Sequence, residues 1–475
     1  MDCKEKSTHT PPRFMIGALL KPELVKMIDE RDSAGLREAL SEFHVAEIAE
    51  IFEDFDDDRK AVMIRTLPDE LAADLLEHLD QDERELLTEA LKTEELAGIL
   101  DEMEPDDRTE FLEDLEEEDA EELLNAMRPE EREMAEQLLD YPEDSIGRIM
   151  NPEFVSIEDD WTGSYVIEHL RAIGQERRGS LHEMFVTDAN GKLIGSLELA
   201  DAVIAKPDLP VTNSVDSNIP SLRVTDDQET AVQEFQKYDR HMLPVVDDLR
   251  KLVGIVTVDD VMDVAEEEVT EDMQKMAAME ALDEAYLSAS LFSMVHKRVG
   301  WLAILFVGQL LTAFAMSHYH EQFAEAMYLV FFLPLIISSG GNCGSQAATL
   351  VIRSMAIQEL DLSDWWKVVR REMGSGVGLG ISMGVLALAV TGACVATGIG
   401  GEGLFGPTPW KMGIAIAVSL IGVVIFGCLF GGLLPLGVKA LKFDPAVCST
   451  PLVMTFVDVL GLLIYLLIAR AILGI

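Results

Sequence analysis

Positive charge is what this 475-residue chain lacks, and the shortage is concentrated in one part. Residues 1–290 hold 77 acidic and 27 basic side chains, a formal charge of −50, whereas residues 291–475 hold 9 and 10. A surface so poor in bases is expected to bind no nucleic acid, whose phosphates need basic neutralisation. It is suited instead to cations. Cysteine is also sparse: Cys3, Cys343, Cys394, Cys428 and Cys448 have no disulfide or metal-ligand spacing, and four lie in apolar segments as packing residues. Residues 1–13 are polar and lack the apolar core of a signal peptide, so none is expected. Catalytic triads, phosphate loops and phosphorylatable-aspartate motifs are missing too, which argues against an enzyme.

What the acidic part does have is a period. A large apolar residue recurs every twelve positions at Phe43, Phe55, Leu67, Leu79, Leu91, Met103, Leu115, Met127 and Leu139. Apolar pairs follow eight and nine positions later, as in Ile51-Phe52, Met63-Ile64, Leu75-Leu76, Ile99-Leu100, Phe111-Leu112 and Leu123-Leu124; Leu87-Thr88 and Ala135-Glu136 fit more weakly. Turn and helix-start signals such as Pro68-Asp69-Glu70 and Pro105-Asp106 sit just after each repeat start. Each unit therefore reads as a short helix and a tight turn, and stacking them predicts an all-α superhelix with an acidic exterior. A scaffold or partner-binding solenoid is the plainer use of such a surface.

Residues 150–268 repeat once. Val155-Ser156-Ile157-Glu158 echoes Leu222-Arg223-Val224-Thr225, and Lys192-Leu193-Ile194-Gly195-Ser196-Leu197 echoes Lys251-Leu252-Val253-Gly254-Ile255-Val256. The first copy carries an insertion around Arg171 to Leu181. The pattern resembles a tandem pair of α/β CBS domains, regulatory modules that often dimerise. That family's adenosine-phosphate signature fits Gly254-Ile255-Val256-Thr257-Val258-Asp259-Asp260, with Thr257 and Asp260 as contacts for ATP or another adenine nucleotide. In the first copy Glu198 replaces the hydroxyl residue. The alternative is that Thr257 only caps the following helix.

That helix is strongly acidic. Asp259, Asp260, Asp263, Glu267, Glu268, Glu271 and Asp272 fall on neighbouring faces at helical spacing, where like charges repel. Divalent cations would relieve the repulsion through oxygen ligands, although a charge run is ordinarily just solvated. Beyond it, Met273, Met276, Met279, Leu282 and Tyr286 form a narrow apolar stripe.

Five stretches approach the roughly 20 residues that cross a bilayer: about 299–317, 328–352, 375–397, 412–437 and 446–470. Basic residues sit before the first span (Lys297, Arg298), between the second and third (Arg353, Lys367, Arg370, Arg371) and between the fourth and fifth (Lys439, Lys442). These loops and the acidic domains are thus expected in the cytoplasm, with the C-terminus outside the cell (inner) membrane. Gly374, Gly376, Gly378, Gly380 and Gly384 in the third span read as helix-packing residues.

Asp458 stands alone in the middle of the fifth span. A mid-bilayer carboxylate is costly enough to mark a cavity, a cation or a partner. The second span, Phe332-Leu333-Pro334 through Gly340-Gly341-Asn342-Cys343-Gly344-Ser345-Gln346, combines a proline, a glycine pair and two amides. It is expected to be a broken helix lining a water-filled path, with Pro334, Gly341, Asn342 and Gln346 facing the path.

On these elements, and on Asp444-Pro445 followed by Pro451 and Thr455-Phe456-Val457-Asp458-Val459, the chain resembles the MgtE family of bacterial magnesium channels. The resemblance implies a multidomain homodimer in the lipid bilayer, with the pore between two subunits and Asp458 as its ion-binding carboxylate. It also implies closure when cytosolic Mg2+ binds between the acidic domains and a connecting plug helix. Expected boundaries are a flexible N-terminus (1–21), the acidic superhelix (22–142), the CBS pair (143–268), the plug helix (269–296) and an all-α five-span membrane domain (297–475). Magnesium keeps several waters when bound, so a sparse pore with one carboxylate per subunit suits a hydrated ion. Open alternatives are transport of Co2+ or Mn2+, though the fifth span offers only Cys448 as a softer ligand, and a membrane-anchored sensor without transport. A CBS-bearing anion channel is opposed by the pore carboxylate.

Overall fold

Short helices with acidic starts open the molecule. The computed structural model describes residues 15–173, 181–282, 286, 289–320, 326–399 and 401–474. Residues 1–14 of the expected N-terminal tail and 174–180 of the expected insertion lie outside them; residues 15–21 already belong to a helix. The chain divides into two units, Met1–Glu266 and Glu267–Ile475.

In the first unit, among the described residues, ten helices follow one another: α1 (Met15–Asp29), α2 (Ser33–Leu40), α3 (Val45–Glu53), α4 (Asp57–Thr66), α5 (Asp69–Glu77), α6 (Gln81–Ala90), α7 (Thr93–Leu100), α8 (Pro105–Glu113), α9 (Glu117–Ala126) and α10 (Pro129–Leu139). Asp56 and Asp80 accept from the backbone N–H of Arg59 and Glu83 at 3.2 and 3.0 Å, capping α4 and α6. Prolines occupy the first turns of α8 and α10, where no hydrogen-bond donor is needed. Helices of 8–11 residues cannot hold themselves together. Most therefore rest on the helix two places on, α3 on α5, α4 on α6, α5 on α7, α7 on α9 and α8 on α10. The twelve-residue pattern supplies the core, since Phe52, Met63, Ile64, Leu75, Leu76, Leu87, Leu100 and Phe111 are fully buried.

The same ladder carries buried charge. Lys60, Arg84 and Arg108 are all buried, and each reaches an acid on a later helix: Lys60 pairs with Glu83, Arg84 with Glu110 (2.7 Å) and Asp114 (2.8 Å), and Arg108 with Glu131 (2.6 Å). Leaving the Arg108 guanidinium unpaired would cost about 3–5 kcal/mol, so these pairs fix which helices stack.

The duplicated module forms two three-stranded sheets of identical order. In the first, β1 (Ser156–Glu158) runs parallel to β2 (Glu183–Thr187), which is antiparallel to β3 (Leu193–Glu198). In the second, β4 (Leu222–Arg223), β5 (Met242–Val246) and β6 (Leu252–Thr257) repeat the arrangement, down to a matching irregularity in the last hairpin. Helices α11 (Gly163–Ile173) and α12 (Leu199–Ile204) belong to the first copy, and α13 (Gln228–Tyr238) to the second. The hairpins exchange reciprocal hydrogen bonds, Leu193 N–H to Arg250 C=O and Leu252 N–H to Gly191 C=O. Phe185, Met242, Leu252 and Ile255 fill the seam. From β6 the chain enters α14 (Val258–Met276), which carries every acid from Asp259 to Asp272 and continues past the expected 268/269 boundary. It ends at a turn where Ala278 takes φ +62°, so Met279 and Leu282 lie beyond the helix.

Among the described residues the second unit holds five helices long and apolar enough to cross a membrane: α15 (Leu291–His318), α16 (Leu333–Ala356), α17 (Trp365–Thr397), α18 (Pro409–Ala440) and α19 (Thr450–Leu473). Glycines set their spacing. A Cβ on Gly427 or Gly431 would sit 2.3 or 2.0 Å from the carbonyl oxygens of Gly340 or Gly344, so α16 and α18 touch backbone to backbone. Gly376, Gly380 and Gly384 likewise bring α17 against α18, whereas Gly374 and Gly378 of the expected packing set face open space.

The second span opens with a 3-10 helix, Met327–Phe332, and then runs unbroken through the expected break. Residues 333–356 form one continuous α-helix. Pro334 sits in its first turn, where it bends nothing, and the glycines serve close packing instead of flexibility.

Candidate cation sites

The first candidate lies wholly in the first unit. The start of α8 brings ligand oxygens of Glu104, Asp106 and Asp107 within 4.8 Å of one another. Asp106 is buried, Asp107 half-buried and Glu104 exposed at the rim. Asn151 donates to both Glu104 (2.8 Å) and Asp106 (3.2 Å). Glu77 at the end of α5 adds a fourth carboxylate, bonded to Asp107. The start of α14 adds Asp259 and Asp260, which repel Glu104 and Asp106 respectively.

Burial and this crowding push the Asp107 carboxyl up to about 10, Glu77 to about 8 and Asp260 to about 6, and Asp106 well above the usual range. Among the described residues no lysine, arginine or histidine forms an ion pair with Glu104, Asp106 or Asp107. An all-oxygen, uncompensated donor set of this kind fits a hard divalent cation.

Of the acids singled out on α14, Asp259 and Asp260 thus join a basin. Asp263 meets Glu110, and its carboxyl is raised by burial and then by that repulsion. Glu271 pairs with Lys275 at 2.7 Å, while Glu267, Glu268 and Asp272 continue along the helix. Thr257 donates its backbone N–H to Asp260 Oδ2 at 3.1 Å, and its hydroxyl bonds the same oxygen. The pair closes the first turn of α14 upon itself, which is the capping role. Glu198 makes no such bond at the start of α12.

The second candidate lies in the membrane unit. Asp458 is half-buried on α19, and its Oδ2 accepts from Nε2 of Gln309 on α15 at 2.8 Å. No local pattern marks Gln309; an amide at the centre of the first span is its signal in the sequence. Pro334, Ser338, Asn342 and Gln346, four residues apart, form one exposed stripe on α16, polar from Ser338 onward. Among the described residues no hydrogen bond joins Asn342 or Gln346 to Asp458. Gly341 does not line this stripe: it is buried, and a Cβ there would meet Met454 of α19 at 3.3 Å.

A third feature ties the end of α14 to α19. Lys275 Nζ reaches Asp444 Oδ2 at 3.0 Å. The other oxygen of Asp444 accepts from the Ala446 N–H at 2.8 Å and caps the short turn Pro445–Val447 that precedes α19.

Asp106, Asp260 and Asp458 lie in stretches matched by family models. Residues 333–468 match the family model described as "Divalent cation transporter", residues 43–144 the MgtE intracellular N domain, and residues 146–208 and 211–267 CBS domains. The magnesium transporter MgtE of Thermus thermophilus is 36% identical over 342 residues, 72% of this chain and 73% of the relative. The chain belongs to the MgtE family. The magnesium transporter MgtE of Bacillus subtilis is 30% identical over 337 residues, 71% of each chain. A crystal structure of the soluble part of a magnesium transporter superposes with a TM-score of 0.50 at 24% identity, covering 53% of this chain and 99% of that one, and shares the fold. The MgtE-family chain is a multi-pass membrane protein with an intracellular N domain, built as the expected sequence of helical superhelix, CBS pair and five apolar helices.

Proposed function

We propose that this MgtE-family chain carries Mg2+ across the membrane down its electrochemical gradient, through a path at Asp458, and closes when Mg2+ accumulates on the cytosolic side. The supporting observation for the path is the lone mid-span carboxylate of α19, held by an amide and, among the described residues, without a cationic partner. Two charges moving through 100 mV gain about 4.6 kcal/mol, enough to drive entry without hydrolysis.

The stripe Pro334, Ser338, Asn342, Gln346, polar from Ser338 onward, is exposed on a helix of membrane length. Polar groups at that depth need a protein or water environment. A second copy of the chain supplies it, so the working unit is a homodimer whose Asn342 and Gln346 amides bond the water shell of the ion. With cytosolic N domains and five spans, the C-terminus lies outside.

Closure rests on the basin. A magnesium ion held by Glu104, Asp106, Asp107 and Asp260 would supply the positive charge that these carboxylates lack. The state in which they converge is then favoured, because a ligand shifts an equilibrium only through its preference for one state. Asp259, Asp263, Glu267, Glu268, Glu271 and Asp272 extend the acidic field along α14, and the Lys275–Asp444 pair links its end to the helix bearing Asp458. An adenine nucleotide at Thr257 and Asp260 of the second CBS copy would have to open their mutual cap and compete with the magnesium ion for Asp260; the first copy, with Glu198, offers no hydroxyl.

Liposomes holding the purified protein and a magnesium indicator test the reading. Uptake should follow an imposed inside-negative potential and fall when Mg2+ reaches the face bearing the N domains. Flux no greater than in protein-free vesicles would leave only a membrane-anchored sensor.

A further inference from the structure

The environment of Asp458 differs on its two oxygens. Oδ2 is occupied by the Gln309 amide at 2.8 Å. The bond is made possible one residue earlier: a Cβ at position 308 would lie 2.6 Å from Thr455 Cγ2, so Gly308 lets α15 approach α19 one turn below the carboxylate. Thr455 is itself buried and turned back onto the Pro451 carbonyl at 2.9 Å, which leaves Asp458 as the acceptor facing Gln309. Position 309 also lies outside the 333–468 stretch matched by the transporter family model.

We propose that Gln309 is a positioning and specificity-determining residue for the permeating ion. The inference rests on Asp458 as the ion-binding carboxylate. An amide donor holding Oδ2 leaves Oδ1 alone to receive the ion's water shell and fixes the carboxylate plane. Direct two-oxygen coordination is thereby disfavoured. Calcium takes carboxylates in that bidentate way and sheds water readily, whereas magnesium retains several waters and demands strict geometry. Gln309 therefore selects against the larger ion by keeping one carboxylate oxygen engaged, and it does so without touching the ion.

The test compares Mg2+ and Ca2+ flux in liposomes for the full chain, Gln309→Leu, Gln309→Met and Asp458→Ala, each checked for monodispersity in detergent. Gln309→Met keeps length and flexibility while deleting the donor, so it serves if the branched leucine disturbs the helix contact. Expected is a rise of about tenfold in the Ca2+ to Mg2+ flux ratio on loss of one charge-assisted hydrogen bond, with Mg2+ flux retained at a reduced level. A merely structural role would lower both fluxes together and leave the ratio unchanged, and that result overturns the proposal. Wild-type flux in Asp458→Ala would overturn the underlying reading of Asp458 as well; loss of flux there with an unchanged ratio in both Gln309 variants defeats the Gln309 assignment alone.

Discussion

The basin around Asp106 and the span around Asp458 both hold carboxylates away from cationic partners, but they do so in opposite ways. The basin gathers Glu77, Glu104, Asp106, Asp107, Asp259 and Asp260 against few donors, Asn151 for Glu104 and Asp106 and Thr257 for Asp260. Asp458 is single and has its own donor, Gln309. Crowded and undersupplied acids gain much from an ion and give it up reluctantly, which suits a sensor. One pre-satisfied acid binds weakly enough to release, which suits conduction.

The comparison breaks most sharply at Asp458. Asp458→Asn keeps shape and hydrogen-bonding capacity but removes charge, and should lower Mg2+ flux by about 100-fold, the scale of one ion–carboxylate attraction at partial burial. Near-normal flux in liposomes would make the two regions alike in being dispensable. The basin should behave differently: Asp106→Asn with Asp107→Asn should leave maximal flux intact and raise the Mg2+ concentration for closure by about tenfold, within the range of ordinary coupling energies. Patch recordings with Mg2+ titrated on the cytosolic face measure this.

Proton linkage gives a smaller, finer distinction. Carboxyls raised to about 8 (Glu77) and about 10 (Asp107) hold protons in the fold that the unfolded chain releases above about pH 4. Their contribution to the cation-free fold is therefore full at low pH and is lost as pH climbs through those raised values. Mg2+ binding at pH 7 must displace those protons. Calorimetry in buffers of different ionisation enthalpy should detect proton release, absent in Glu77→Gln with Asp107→Asn.

Much of this was legible beforehand. The twelve-residue spacing located the superhelix core because a repeated helix must bury the same positions in every turn of the stack. Asp458 was visible because an acid in an apolar run has no local explanation. The basin was not visible, since Asp106-Asp107 occupies the same first-turn slot as Asp57-Asp58, Asp69-Glu70 and Glu130-Glu131, and only stacking decides which acids become buried. Gln309 meets its partner 149 residues away, beyond any local pattern. The supposed break at Pro334 and Gly340-Gly341 failed for a related reason: glycine reads alike whether it bends a helix or lets another helix in.

The contact of Gly427 and Gly431 with Gly340 and Gly344 also limits how the membrane unit can move. Two helices whose main chains already touch have no slack between them, and α17 is clamped to the same partner. α16, α17 and α18 therefore behave as a stiff frame, in which sliding or spreading would open voids lined by bare peptide groups. α15, whose apolar window buries none of its residues in the chain, has no such clamp. Its packing within the chain runs mainly to α19, at Gly308 and Gln309, so a displacement of α15 against the frame would act first on the side chain that holds the carboxylate.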